Sequence, residues 1–176
     1  MRSALYLVPL AALAAPAAAH ATVYLTVEQA QAQMAPGEAM QPAFRQLTGD
    51  QVAAIRKASG ESPLSKDLKV WRTGKGGWFM VDEVVGKHEF ITFALLLDAA
   101  GAVKDVEILD YREAYGGQVR GAAWRAQFTG KTSGSPVKLG QDIKNISGAS
   151  LSSKHITDGV RRLLATYAIV LAPGAR

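Results

Sequence analysis

Four serines fall within the seven residues "SGASLSS", 147–153, directly ahead of a long segment with helical apolar spacing. Hydroxyls in that place support three chemistries. A serine can cap the helix by accepting a backbone N–H at its start. Several hydroxyls beside free N–H groups and the positive helix end can hold an anion such as phosphate. A single hydroxyl can also carry a covalent group on its oxygen. Ser152 or Ser153 as the cap, with Leu151 and Ile156 as a hydrophobic staple, explains the second half of the stretch. A cap does not require Ser147, Gly148, Ala149 and Ser150. Gly148 opens a backbone conformation closed to other residues, Ala149 keeps the turn narrow, and Ser150 is presented before the free N–H groups. With no lysine in the Walker position the stretch is not a P-loop. Cap and phosphate site stand level on these grounds.

The other reactive side chains are less organised. His20, His88 and His155 are the three histidines and lack metal-ligand spacing. His88 reads as a turn residue and His155 as first-turn helix, both solvated. His20 would chelate copper only if processing exposed it at an amino terminus. No Gly-x-Ser-x-Gly elbow is present. Asp82 with Glu83, and Asp98 with Asp110, are strand-end acids with no spacing that fixes two of them on one site.

The elements that must position these groups follow from patterning. Met1-Arg2, the run "SALYLVPLAALAAPAAA" and "AHA" have the charged start, apolar stretch and small-residue site of a secretory signal peptide. Residues 1–21 are therefore expected to be removed after Ala21, with Ala19 the neighbouring alternative, leaving 22–176 as one exported domain. With no cysteine in the chain, neither disulfides nor a lipidated cysteine is expected. No later stretch has the length of an uncharged membrane span. The net charge is +5, but the basic residues are scattered and not interleaved with aromatics, which argues against nucleic acid and for a solvated basic surface.

"TVEQAQAQM" predicts a helix capped by Thr26, and "TGDQVAAIRKASG" a second one capped by Thr48 or Asp50 and stopped by Gly60. "KVWRT", "GWFMVDEVVG", "FITFALLLD" and "AVKDVEILDYR" are rich in β-branched and aromatic residues, with "GKGG", "GKHE" and "DAAG" between them. They predict three or four antiparallel strands, with "FITFALLL" central and covered on both faces. "GAAWRAQFTGK" reads as a short helix or turn, and Val137–Leu139 as a short strand in a loop. Ile156, Val160, Leu163, Leu164 and Tyr167 form one helical stripe, with Arg161 and Arg162 off it. The fold class is α+β: a small antiparallel sheet packed by helices, with a long C-terminal helix, in a single domain.

"SGASLSS" ahead of that helix resembles the Ser/Thr-Gly-Ala-Thr/Ser signature of the FMN-binding domain family, which includes flavin-bearing subunits of the Rnf and sodium-pumping NADH:quinone reductase complexes and many small exported flavoproteins. "YREAYGGQVRGAAWRAQFTGK", 111–131, is similar to the family's upstream flavin-pocket segment, and the front half of the chain resembles its small exported members. The resemblance implies FMN as cofactor, carried through its phosphate on Ser150 by a magnesium-dependent flavin transferase that uses FAD. It implies Ser147, Gly148, Ala149, Ser152 and Ser153 around the phosphate, and Tyr115, Trp124 and Phe128 as walls for the ring. Glu113, Gln127 and Lys131 would supply contacts to the ring's edge. Ser150 stands where the family commonly has threonine, and Lys144, six positions earlier, where it commonly has aspartate, with Asp142 two positions further back. The implied role is electron relay between a membrane donor and a periplasmic acceptor protein, the chain being soluble or peripherally membrane-associated and not itself turning over a substrate. The alternatives are a noncovalent flavin- or phospho-ligand-binding module and a flavin-dependent periplasmic reductase.

Overall fold

The structure, a computed structural model, describes residues 22–175; the expected signal segment 1–21 lies outside them. Strand β1 (Thr22–Val23) leads into helix α1 (Val27–Met34). The start of α1 is set locally. Thr26 Oγ1 accepts the Gln29 N–H at 3.2 Å, and Gln29 Oε1 accepts the Thr26 N–H at 2.8 Å. Helix α2 (Gly49–Ser59) repeats the device with Thr48 and Gln51, and ends on Gly60 in the left-handed region. Between the helices lie two short strands, β2 (Met40–Pro42) and β3 (Arg45–Gln46).

The expected strand region forms β4 (Asp67–Thr73), β5 (Trp78–Val85), β6 (Phe90–Leu97) and β7 (Val103–Tyr111). All pairings are antiparallel, in the order β1-β7-β6-β5-β4-β2, and β3 pairs with the first residues of β4. The sheet is thus larger than patterning implies, because β1, β2 and β3 are too short to show a period. Between β6 and β7 Asp98 Oδ1 accepts the N–H groups of Ala100 and Ala102, each at 2.9 Å, so this acid closes a hairpin turn.

Alternation sends β5, β6 and β7 side chains to two cores. Phe79, Val81, Ala94, Leu96 and Leu109 meet Ala30 and Met34 of α1 on one face. On the other, Met80, Phe93, Leu95, Val106 and Ile108 pack against α2 and the C-terminal half of the chain. That half holds a short helix α3 (Ala122–Arg125) between two 3-10 turns, then α4 (Ser150–Thr166), which runs into a π-helical turn, Tyr167–Leu171. Ile156, Val160, Leu163 and Leu164 are buried as the stripe predicts, each stabilising the placement of α4 by about 1.5–3 kcal/mol. The architecture is α+β.

The two arginines off the stripe are not the solvated face expected of them. Arg162 is 4% exposed; its Nη2 donates to Asp82 Oδ2 and to the Glu83 carbonyl, each at 2.7 Å, tying α4 to β5. Arg161 donates to the carbonyls of Ser59 and Val137 and to Asp158. A long guanidinium beside a sheet end finds carbonyls and a carboxylate at fixed angles, and these outcompete water.

Candidate functional site

The chain approaches α4 through a braced loop. Trp124 Nε1 donates to the Lys144 carbonyl at 2.7 Å, and the Lys144 N–H donates to Gln127 Oε1 at 2.8 Å. Trp124 and Phe128 meet edge to face with centroids 5.2 Å apart, both buried. Lys131 pairs with Asp142 at 2.9 Å, and Asp142 accepts the N–H groups of Val137 and Lys138. Burial alone would raise the Asp142 carboxyl. Lys138's N–H, Lys131 and Val137's N–H outweigh that and hold it below its ordinary value. Val137 takes a positive φ of 42°, so the expected strand at 137–139 is absent; Leu139 makes a single parallel bridge to Ile143.

The loop delivers a tight turn. Ala149's N–H donates to the Ile146 carbonyl at 3.0 Å, and Gly148 has φ +80°, the left-handed conformation its lack of a Cβ allows. Helix α4 then starts at Ser150, with Ala149 in the cap position and no side-chain cap bond. The expected cap on Ser152 or Ser153 does not form, because the helix begins earlier and those hydroxyls face inward. Ser152 Oγ lies 2.8 Å from the Tyr111 hydroxyl, and Ser153 is buried with its Oγ unpartnered among the described residues. Leu151 and Ile156 form no staple: Leu151 is 47% exposed while Ile156 is in the core.

A cavity of about 410 Å³ opens against this helix start. Its walls come from three places: Lys87 and His88 in the turn between β5 and β6, Glu113–Gly116 after β7, and Gly148–Ser152. The Tyr111 hydroxyl donates to the Tyr115 carbonyl and thereby holds the second wall. Burial pushes that hydroxyl's pKa up against the Ser152 hydrogen bond, with the nearby Glu113 charge adding to the rise, so it stays a protonated donor. Tyr115 is 87% exposed at the rim. Ser150 is exposed, and its Oγ accepts from Asn145 Nδ2 at 2.9 Å, which fixes the oxygen while its own O–H has no hydrogen-bond acceptor among the described residues.

Of the residues singled out from sequence, the fold gathers Glu113, Tyr115, Gly148, Ala149, Ser150 and Ser152 on the cavity. Ser147 is exposed on the turn and Ser153 sits behind the wall. Trp124, Gln127, Phe128 and Lys131 belong to the brace, not to the lining of this cavity. His88 is exposed but lines the cavity, whereas His155 is half-buried with its Nδ1 shielded and unpartnered among the described residues, not solvated as expected. Sequence reasoning missed Lys87, Tyr111 and Asn145. The asparagine's position five residues before Ser150 was the one local signal for it.

All of these cavity-lining residues lie between Gly86 and Ala165, and that stretch, 86–165, matches the family model described as FMN-binding domain. Residues 86–165 belong to the FMN-binding domain family. No curated protein matches the chain. FMN is the cofactor of such a domain, and the FMN-binding domain here fits it on three counts. Its helix start offers N–H groups that no side chain caps and no first-turn acid neutralises, as a phosphate requires. The Ser150 hydroxyl is exposed on the same wall. The exposed Tyr115 and Leu151 give apolar surface to a cavity of ligand size. Among the described residues no helix is long and apolar enough to cross a membrane.

Proposed function

We propose that the protein is an exported electron-transfer flavoprotein, with FMN joined through its phosphate to Ser150 Oγ, relaying electrons between a membrane donor and a periplasmic acceptor protein. One observation carries the reading: within the FMN-binding stretch, the exposed Ser150 hydroxyl stands at an uncapped helix start on the cavity wall. FMN, when bound, supplies one- or two-electron redox chemistry. The chain's own work is to hold the phosphate at the N–H groups of α4, to flank the ring with Tyr115 and Leu151, and to place Lys87 and His88 at the same cavity. Attachment by a flavin transferase forms the Ser150 Oγ–P bond as the pyrophosphate bond of FAD breaks. AMP departs and the hydroxyl proton passes to solvent. Arg2 leaves with the signal segment, so the exported chain keeps all but one unit of the net charge of +5, which suits acidic redox partners or an anionic membrane surface.

The test is to express the protein with and without a flavin transferase and examine denatured samples by in-gel fluorescence and intact mass. The expected result is a fluorescent band and an FMN mass increment with the transferase, both abolished by Ser150→Ala, on a chain beginning at Thr22. A band that survives Ser150→Ala moves the attachment elsewhere. Stoichiometric FMN without a band leaves a noncovalent flavoprotein. Catalytic reoxidation of reduced protein by small acceptors would replace the relay by a reductase.

A further inference from the structure

Glu113 lines the cavity, but its Oε1 is already committed. It accepts the backbone N–H of His88 at 2.5 Å and that of Glu89 at 3.0 Å. The glycine beneath it is shaped for this. A Cβ on Gly86 would lie 2.4 Å from Glu113 Oε1, 2.9 Å from its Cγ and 3.0 Å from its Cδ, so any other residue there displaces the carboxylate. The β5–β6 ladder ends at the pair Val85 and Phe90. Beyond it the turn has one backbone bond of its own, from the Gly86 N–H to the Glu89 carbonyl at 2.7 Å. The Lys87–His88 wall is therefore fixed by a side chain that belongs to the opposite wall.

We infer that Glu113 is a positioning residue for the cofactor cavity, latching the Gly86–Glu89 turn to the Ala114–Gly116 segment so that two walls from separate parts of the chain keep one spacing. The inference rests on the FMN reading above. It differs from the edge contact that the family resemblance implies for this residue. A carboxylate taking two N–H groups makes charge-assisted bonds and prepays the ordering of two loops that a ligand must otherwise impose. Because both N–H groups go to a single oxygen, a glutamine can do the same with its carbonyl.

The experiment uses protein made without a flavin transferase, titrated with FMN by fluorescence, together with amide exchange at His88 and Glu89 in the absence of FMN. Glu113→Ala and Gly86→Ala should each weaken FMN binding by about tenfold, and the double variant should be no weaker than either alone. Glu113→Gln should stay within about threefold of wild type. The two amides should be protected in wild type and Glu113→Gln, and exposed in both alanine variants. The latch is overturned if Gly86→Ala binds as wild type while Glu113→Ala does not, since that marks a direct contact. It is overturned equally by additive losses, or by free exchange of these amides in wild type. If the amides are protected but wild type takes up FMN neither free in solution nor from FAD through the transferase, the functional reading falls, and with it the latch's role toward the cofactor.

Discussion

Helices α1 and α2 start one way and α4 another. In α1 and α2 a threonine caps, the second helical residue is an acid (Glu28, Asp50), and the third is a glutamine that returns the bond. In α4 the corresponding places hold Ala149, the exposed Leu151 and Ser152, whose hydroxyl is engaged with Tyr111. The capped starts each engage one helix N–H with their own threonine and bring a negative charge to the positive helix end. The bare start leaves both to a ligand. A helix without a local cap must be held by tertiary contacts, and α4 is, through its buried stripe, Arg162 on Asp82 and Glu83, and Ser152 on Tyr111.

That contrast breaks most sharply at Arg162. Replacing it with alanine strands Asp82 and loosens α4 from β5, and unfolding in urea should show a loss of about 3 kcal/mol. Leu151→Glu gives α4 the second-residue acid of the other two helices. It should leave the apo protein as stable or raise its stability by about 0.3–1 kcal/mol, yet weaken FMN binding at least tenfold, about 1.4 kcal/mol. Equal affinity in that variant would mean that the phosphate is not held at this helix start. Thr48→Ala is the converse control: about 1 kcal/mol of stability lost from the exposed cap of α2, with FMN affinity unchanged.

The smallest effect is in pH. Burial would raise the Glu113 carboxyl, but the two bonded N–H groups of Glu89 and His88, with smaller help from the nearby Lys87 N–H and the His88 charge, hold it below its ordinary value. A depressed folded value means the latch is complete above the unfolded value, roughly 4.3, and is lost as pH falls through the folded one. Amide protection at His88 should therefore be insensitive to the Glu113 charge from pH 5 to 8 and decline below about pH 4. Lys87, His88 and Glu89 are the neighbouring charges, and Glu113→Gln should remove the step.

Local signals carried far. Thr26 and Thr48 fixed two helix starts three residues from their partners, and the period changes placed β4 to β7 and the stripe of α4. Shorter pieces escaped: β1, β2 and β3 have two or three residues each, too few for alternation to register. At the site, the left-handed turn at Gly148 and the place of Ser150 at the start of α4 were legible because both depend on local backbone geometry. Trp124 and Phe128 read equally well as ring walls or as core, since an i, i+4 aromatic pair looks the same in either place. The fold puts them in the brace beneath the loop.

By itself, then, the sequence determined what is local: the α+β class, the capped helices, the central strand and the hydroxyl-rich turn of a flavin-binding signature. The tertiary structure alone decided what depends on distant partners. Ser152 turned to Tyr111, forty-one positions away, and not to its own helix. Arg162 found Asp82, and Glu113 found the amides of His88 and Glu89. A hydrogen bond between residues far apart in the chain leaves no periodic trace, because the folded path sets the distance between them and their spacing in sequence does not.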